Sequence, residues 1–198
     1  MNILPEVIVR VVEEIKKFPG QGAKSALRTA FFILQQDKEE RKKLVQALQG
    51  LDQLTWCSRC FFLAQGELCP ICSATDRNIR QICVVEKPVD VIAIEKSRKY
   101  KGLYHVLHGV ISLLEGIRPE DLKITQLLER IAKEAPEEII FALGPKIESE
   151  TTIQYIIQRI PRGAVKLTRL AMGVPMGAEL EFTDEVTLSK AIEGRYGI

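Results

Sequence analysis

The chain has 198 residues, 28 basic against 26 acidic, for a formal net charge of +2. That length suits roughly one large domain or a few small ones, and the near-neutral balance excludes a global polycation, so any nucleic-acid patch has to be local. No apolar run reaches membrane-spanning length, and Pro5, Glu6 and Arg10 interrupt any secretory leader, so a soluble, cytoplasmic protein without a membrane partner is expected.

Val7, Ile8, Val11, Val12 and Ile15 recur at helical spacing, with Pro5 suited to the first turn. Pro19 and Gly20 stop that helix. Ala26, Leu27, Ala30, Phe31, Ile33 and Leu34 give a second helix an apolar face, and Asp37 with Glu40 reads as the capping box of a third. Between the first two helices runs Phe18–Pro19–Gly20–Gln21–Gly22. Gly20 and Gly22 allow positive φ and close backbone approach, and the helix that follows turns its free N–H groups toward an anion. Lys24 and Arg28 share one face of that helix. With Lys16 and Lys17 they make the interval from Ile15 to Gln36 basic and free of acids. This is the phosphate-gripping chemistry of a helix–hairpin–helix, which holds the nucleic-acid backbone without reading bases. An ordinary helical hairpin with a solvated basic face fits the same residues, and the chemistry alone divides evenly between the two.

Cys57–Ser58–Arg59–Cys60 and Cys69–Pro70–Ile71–Cys72 form two Cys-x-x-Cys pairs around a short spacer that contains Gly66. Each pair can turn both sulfurs toward one ion, so four thiolates supply a closed structural zinc site. Disulfides would need an oxidising compartment. An iron–sulfur cluster also takes four cysteines, but the paired pattern is commoner for zinc. The fifth cysteine, Cys83, is expected to be a buried strand residue.

Beyond the knuckle, strands are expected at 79–85, 104–107, 138–143 and 164–168, alternating with helices at 88–94, 122–135 and 149–160. The alternation predicts a small parallel α/β sheet. A last helix is expected to start at Thr183 and stop near Gly194. Function in such sheets gathers beyond the carboxyl ends of the strands. Glu86 closes the first strand and Asp90 follows, while Glu148 and Glu150 follow the third. If those strands are neighbours the carboxylates converge, and the cluster can hold Mg²⁺ or meet a basic partner. The same acids also suit solvated helix starts. His105 is expected to be structural and His108 to lie in a loop, and no catalytic residue is assigned.

In this order the parts resemble the RecR family of bacterial recombination mediators over essentially the whole chain. The resemblance rests on Phe18–Pro19–Gly20–Gln21–Gly22 with Lys24 and Arg28, on the four cysteines, and on Ile82 to Val91 with Tyr100 to Leu107. Its last block is Lys166 to Ala171, Gly173–Val174–Pro175 and Thr187 to Arg195. It implies an α/β protein with a helix–hairpin–helix (1–53), a four-cysteine zinc finger (54–76), a toprim domain (79–172) and a C-terminal loop and helix (173–198). It further implies a non-enzymatic homo-oligomer, a tetramer ring or a dimer, that clamps single- and double-stranded DNA. Such a protein works with RecO and RecF to load the recombinase onto single-stranded DNA. By the same resemblance Lys24 and Arg28 touch phosphates, and Glu86, Asp90, Glu148 and Glu150 are toprim acids that serve partner contacts more than catalysis. The chain departs from the family at Gly144–Pro145, Ser149, Gly177–Ala178–Glu179, Gln21 and Thr29. The departures near Glu148 bear first on Mg²⁺ binding. Two rival functions stand beside this one: a Mg²⁺-dependent toprim enzyme of the topoisomerase, primase or nuclease type, and a zinc-ribbon module of a larger assembly.

Overall fold

The computed structural model describes residues 3–195 except Met172 and Pro175, so the Pro175 of the expected loop lies outside the described residues. The chain divides into two units, Met1–Leu54 and Thr55–Ile198.

In the first unit, helix α1 (Glu6–Lys16) follows Pro5, which is its N-cap rather than part of its first turn. Helix α2 (Ala23–Gln35) packs on α1 through Ala26 and Ala30, which lie four apart and are almost fully buried against Val11, Val12, Ile15 and Ile33. Alanines at this spacing remove side-chain bulk along one ridge, so the two helices approach closely. Phe31 and Leu34, read from the sequence as part of the same apolar face, are exposed instead. Phe31 lies to the side of the alanine ridge, whereas Leu34, four residues after Ala30, continues it at the C-terminal end of α2. Helix α3 (Lys38–Gln49) is capped by the Asp37 carboxylate, which accepts from the Glu40 amide at 2.8 Å. The capping box is only half made, because the Glu40 side chain pairs with Lys43.

In the second unit, β1 (Thr55–Trp56) and β2 (Leu63–Ala64) form a small antiparallel ribbon, followed by a single helical turn, α4 (Pro70–Ser73). The main sheet is built from β3 (Asn78–Val85), β4 (Gly102–Val106), β5 (Glu138–Ala142) and β6 (Lys166–Arg169). Its order is β4-β3-β5-β6, and every pairing is parallel. Helices α5 (Pro88–Lys96), α6 (Ile124–Glu134) and α7 (Ile147–Ile157) make the crossovers. Helix α6 starts later than the sequence suggests, after a 3-10 turn at Pro119–Asp121. Helix α8 (Glu185–Glu193) is capped by Asp184 rather than Thr183, the carboxylate accepting from the Thr187 amide.

Alternation along β3 assigns the two faces of the sheet. Ile82 and Val84 point into a core with Ile139, Phe141, Leu127, Ile131, Ile153 and Ile156, which α6 and α7 cover. Cys83 and Val85 point the other way, toward Val91, Tyr104 and Val106. That second face is covered by α5 and by the knuckle residues Phe61, Phe62 and Ile71. Burial of Cys83 pushes its thiol up to about 12, which keeps it protonated and inert at neutral pH.

At the start of β4, the register leaves no room for a side chain at Gly102. A Cβ there would stand 2.2 Å from the Tyr100 hydroxyl and 2.9 Å from the Gln81 carbonyl oxygen. The phenol can swing away, but the carbonyl belongs to the neighbouring strand and cannot. Gly102→Ala should therefore cost about 1–3 kcal/mol, a fall in Tm of about 2–10 °C. Calorimetry on the purified variant checks this, and an unchanged Tm would mean that the strand start yields.

Candidate functional site

The knuckle brings its four sulfurs together. The Sγ atoms of Cys57, Cys60, Cys69 and Cys72 all lie within 4.8 Å of one another, and every one of these residues is buried. Cys60 and Cys69 are 3.5 Å apart, far beyond a disulfide bond and close to the ~3.8 Å expected for two sulfurs on one tetrahedral zinc. The ribbon supplies the first pair and the N-terminus of α4 the second, where the Cys72 amide donates to the Cys69 sulfur at 3.4 Å. Hydrogen bonds from Cys60 and Cys72 hold the Cys69 thiol far below its ordinary range. The bond to Cys69, then that to Cys72 and burial, pushes Cys60 up. Thiols this close and this buried cannot all ionise unless a cation shares them. The donor set therefore fits a structural zinc ion held by Cys57, Cys60, Cys69 and Cys72, with no position left for chemistry.

The knuckle is not a separate bead on the chain. The Val106 amide donates to the Cys60 carbonyl at 2.9 Å, and the His108 ring bonds the Phe61 carbonyl at 2.9 Å. Arg59 makes two bonds to Glu134, at 2.9 and 3.0 Å. Arg130, almost wholly buried, donates to Glu134 at 3.1 Å, to the Arg59 carbonyl at 3.2 Å and to the Tyr104 carbonyl at 2.7 Å. Reading the sequence missed this network. Its one local signal, Arg130 four residues before Glu134, looks like any surface helix pair. His105, fully buried in β4, bonds the Lys123 carbonyl at 2.8 Å, and burial lowers its pKa to about 3, so it stays neutral.

In the first unit, the hairpin turn is closed by the Gln21 amide donating to Phe18 at 3.1 Å, with Gly20 at φ +76°. Gly22 is not left-handed; it is the extended N-cap of α2 at φ −85°. Beyond its chain neighbours, a Cβ there would meet nothing within 4 Å. No side chain caps the first turn of α2. Lys24 and Arg28 are exposed, and among the described residues neither makes an ion pair or a side-chain hydrogen bond. Lys16 and Lys17 differ. They pair with Glu13 at 3.0 Å and Glu14 at 2.7 Å, acids one turn earlier on α1 that lie just outside the acid-free interval.

Among the described residues the four sheet acids form no group of three or more that closes within 4.8 Å. Strands β3 and β5 are neighbours. Yet the cysteines are the one group of three or more ligand-type residues that closes within 4.8 Å among the described residues. Glu86 lies 3.2 Å from the Lys87 ammonium. Asp90 accepts from the Lys87 amide at 2.7 Å as part of the start of α5. Glu150 is held by Arg169 of β6, at 2.6 and 3.2 Å. The strands bring the backbones together, and Glu86, Asp90 and Glu150 each meet a donor of their own.

A glycine-turned helical hairpin, a four-sulfur knuckle built onto a sheet, and a parallel toprim-type sheet make this a helix–hairpin–helix, four-cysteine, toprim protein. Family models match the chain in the same order: the RecR helix-hairpin-helix over 8–51, the RecR four-cysteine zinc finger domain over 57–74, the toprim domain over 80–171 and the RecR C-terminal region over 173–196. The chain belongs to the RecR family. It is 44% identical to the recombination protein RecR of Herpetosiphon aurantiacus, across 98% of this chain and 96% of that one. It is 45% identical to that of Roseiflexus sp., again across 98% and 96%. No helix among the described residues is long and apolar enough to cross a membrane.

Proposed function

We propose that the protein is a non-enzymatic mediator of recombinational repair that grips the sugar–phosphate backbone of single- and double-stranded DNA. The observation that carries this reading is the start of α2, where an uncapped helix N-terminus, an open Gly22 and two exposed cations without partners share one surface. Such a surface suits phosphate without selecting bases. Lys24 and Arg28 make the contact, with Gly20 shaping the turn and Gly22 giving access. Lys16 and Lys17, already paired, contribute less. One hairpin binds weakly, so a homo-oligomer, a ring of four or a dimer, multiplies the contacts through effective concentration.

Glu86, Asp90, Glu148 and Glu150 serve as docking charges for RecO and RecF, the helpers with which the protein loads the recombinase. The ties of Asp90 and Glu150 to their own fold favour a fixed acidic surface over a mobile metal cage. Four reduced cysteines at a zinc site suit the reducing cytoplasm.

Removing both cations in Lys24→Ala/Arg28→Ala should reduce the slope of log K against log salt by about 2 per chain engaged. Binding to oligonucleotides of different sequence should weaken uniformly. Fluorescence anisotropy over a salt series measures both quantities. A folded double variant that binds like the parent would remove the hairpin from the contact. Turnover of supercoiled DNA that needs Mg²⁺ and disappears in Glu86→Gln would replace this reading with an enzyme.

A further inference from the structure

We propose that the loop joining α5 to β4 is a second contact for the sugar–phosphate backbone, on the toprim-bearing unit, formed by Lys96, Arg98, Lys99 and Lys101. The proposal rests on the DNA-binding reading above. Four of the six residues from Lys96 to Lys101 are basic and none is acidic. All four cations are exposed, and none makes an ion pair or a side-chain hydrogen bond among the described residues.

The acid adjacent to them in sequence, Glu95, is already engaged. Glu95 is bound by Arg77 through two hydrogen bonds, one at 2.9 Å, and accepts from the Tyr104 hydroxyl at 2.7 Å. The bond from Arg77, followed by that from Tyr104, holds its carboxyl below the usual range, and Lys101 acts on it only through space. Asp76 is the other carboxylate felt by Arg77. The favourable interaction of cations with a helix C-terminus accounts for Lys96 and Arg98 but not for Lys99 and Lys101, which lie beyond the last turn.

The loop is also held in shape. The Tyr100 hydroxyl donates to the Leu103 carbonyl at 2.9 Å, and its ring meets Tyr104 edge to face at 5.1 Å. The Ser97 hydroxyl bonds the Ile94 carbonyl at 2.6 Å and accepts from the Lys99 amide at 3.3 Å, and the Asn78 amide donates to the Lys101 carbonyl at 2.8 Å. With Tyr100 turned inward as the anchor, its neighbours Lys99 and Lys101 are left outside. Less order is therefore lost when an anion binds than from a flexible tail.

The chemistry favours nucleic acid over an acidic protein. A protein partner takes its affinity from apolar or aromatic anchors, and the one aromatic residue of this loop is already used in the core. A phosphate rail needs only spaced cations.

The test is a triple variant, Arg98→Gln/Lys99→Gln/Lys101→Gln, in the full-length protein, beside Lys24→Ala/Arg28→Ala and the parent. The probe is a single-stranded oligonucleotide titrated over a salt series. The triple variant should keep the parent's Tm, because no hydrogen bond of the fold is removed. It should bind about tenfold more weakly at 0.1 M salt, with the log–log slope reduced by about 2. An unchanged slope and affinity in the folded triple variant would overturn the proposal while leaving the hairpin reading intact. A parent that binds no oligonucleotide at any salt would overturn the hairpin reading first. Binding of poly-glutamate lost in the triple variant, with DNA binding unchanged, would assign the loop to an acidic protein and also overturn it.

Discussion

Removing zinc from the four-cysteine site should unfold the knuckle and loosen the sheet beneath it. Structural zinc in small finger peptides contributes about 10–16 kcal/mol of apparent folding free energy, as much as the total stability of an ordinary domain. The segment from Thr55 to Ser73 has no other core of its own, since its buried cluster is the four cysteines and Ala64 with Phe62 and Ile71 packed against them. Phe61, Phe62 and Ile71 also cover Cys83, Val85, Tyr104 and Val106. Loss of the ion would therefore uncover the part of that sheet face that α5 leaves to the knuckle. A fall in Tm of at least about 10 °C is expected on treatment with a strong chelator, with one zinc released per chain. Cys69→Ser should do the same without chelator. Protons compete for the thiolates, so the ion should leave more readily as pH falls. A chelated sample, shown to be metal-free, that melts where the parent melts would remove zinc from the structural role.

The second large effect belongs to Arg130. Truncation in Arg130→Ala would leave the Tyr104 and Arg59 carbonyls without a donor and Glu134 with one cation instead of two. Breaking a buried charged network from one side costs about 3–5 kcal/mol, which chemical denaturation would read as a lower midpoint. Burial acts to raise the Glu134 carboxyl, but the Arg59 hydrogen bond and the Arg130 charge outweigh it and hold it below its usual range. A depressed carboxylate stabilises the fold above its unfolded value, near pH 4.3, and loses that contribution as pH falls through the lower folded value. The parent should therefore lose stability below about pH 4 more steeply than Arg130→Ala, whose carboxylate has less to lose. Parallel acid-denaturation curves for the two proteins would show that the network contributes nothing there.

Much of this architecture can be read along the chain. The paired cysteines announce a metal because the spacing within each pair brings two sulfurs to one ion whatever the surrounding fold. The alternation of strands and helices from Asn78 to Arg169 announces a parallel sheet, because a parallel neighbour needs a crossover. Gly20 announces the hairpin, because Pro19 and a left-handed residue end α1. Lys16 and Lys17 fall in a basic interval that holds no acid, yet Glu13 and Glu14, three residues before them on α1 and just outside that interval, pair with them. What spacing along the chain does not show is which distant element arrives beside a residue. Glu150 follows the third strand with nothing local to show that β6 brings Arg169 beside it. Phe31 and Leu34 looked buried because helical periodicity marks an apolar side but not what covers it.

Residue spacing and type were enough for the kind of molecule this is: a basic glycine turn, a zinc knuckle and a parallel sheet, in an order that belongs to one family. Three-dimensional packing alone settled that the knuckle roofs the second face of the sheet through Phe61, Phe62 and Ile71. It also settled that Arg169 of β6 meets Glu150. The reason is range. Ligand pairs, caps and helical stripes are set by residues a few positions apart, whereas Arg130 with the Arg59 carbonyl and Arg169 with Glu150 meet only after the strands have found their order.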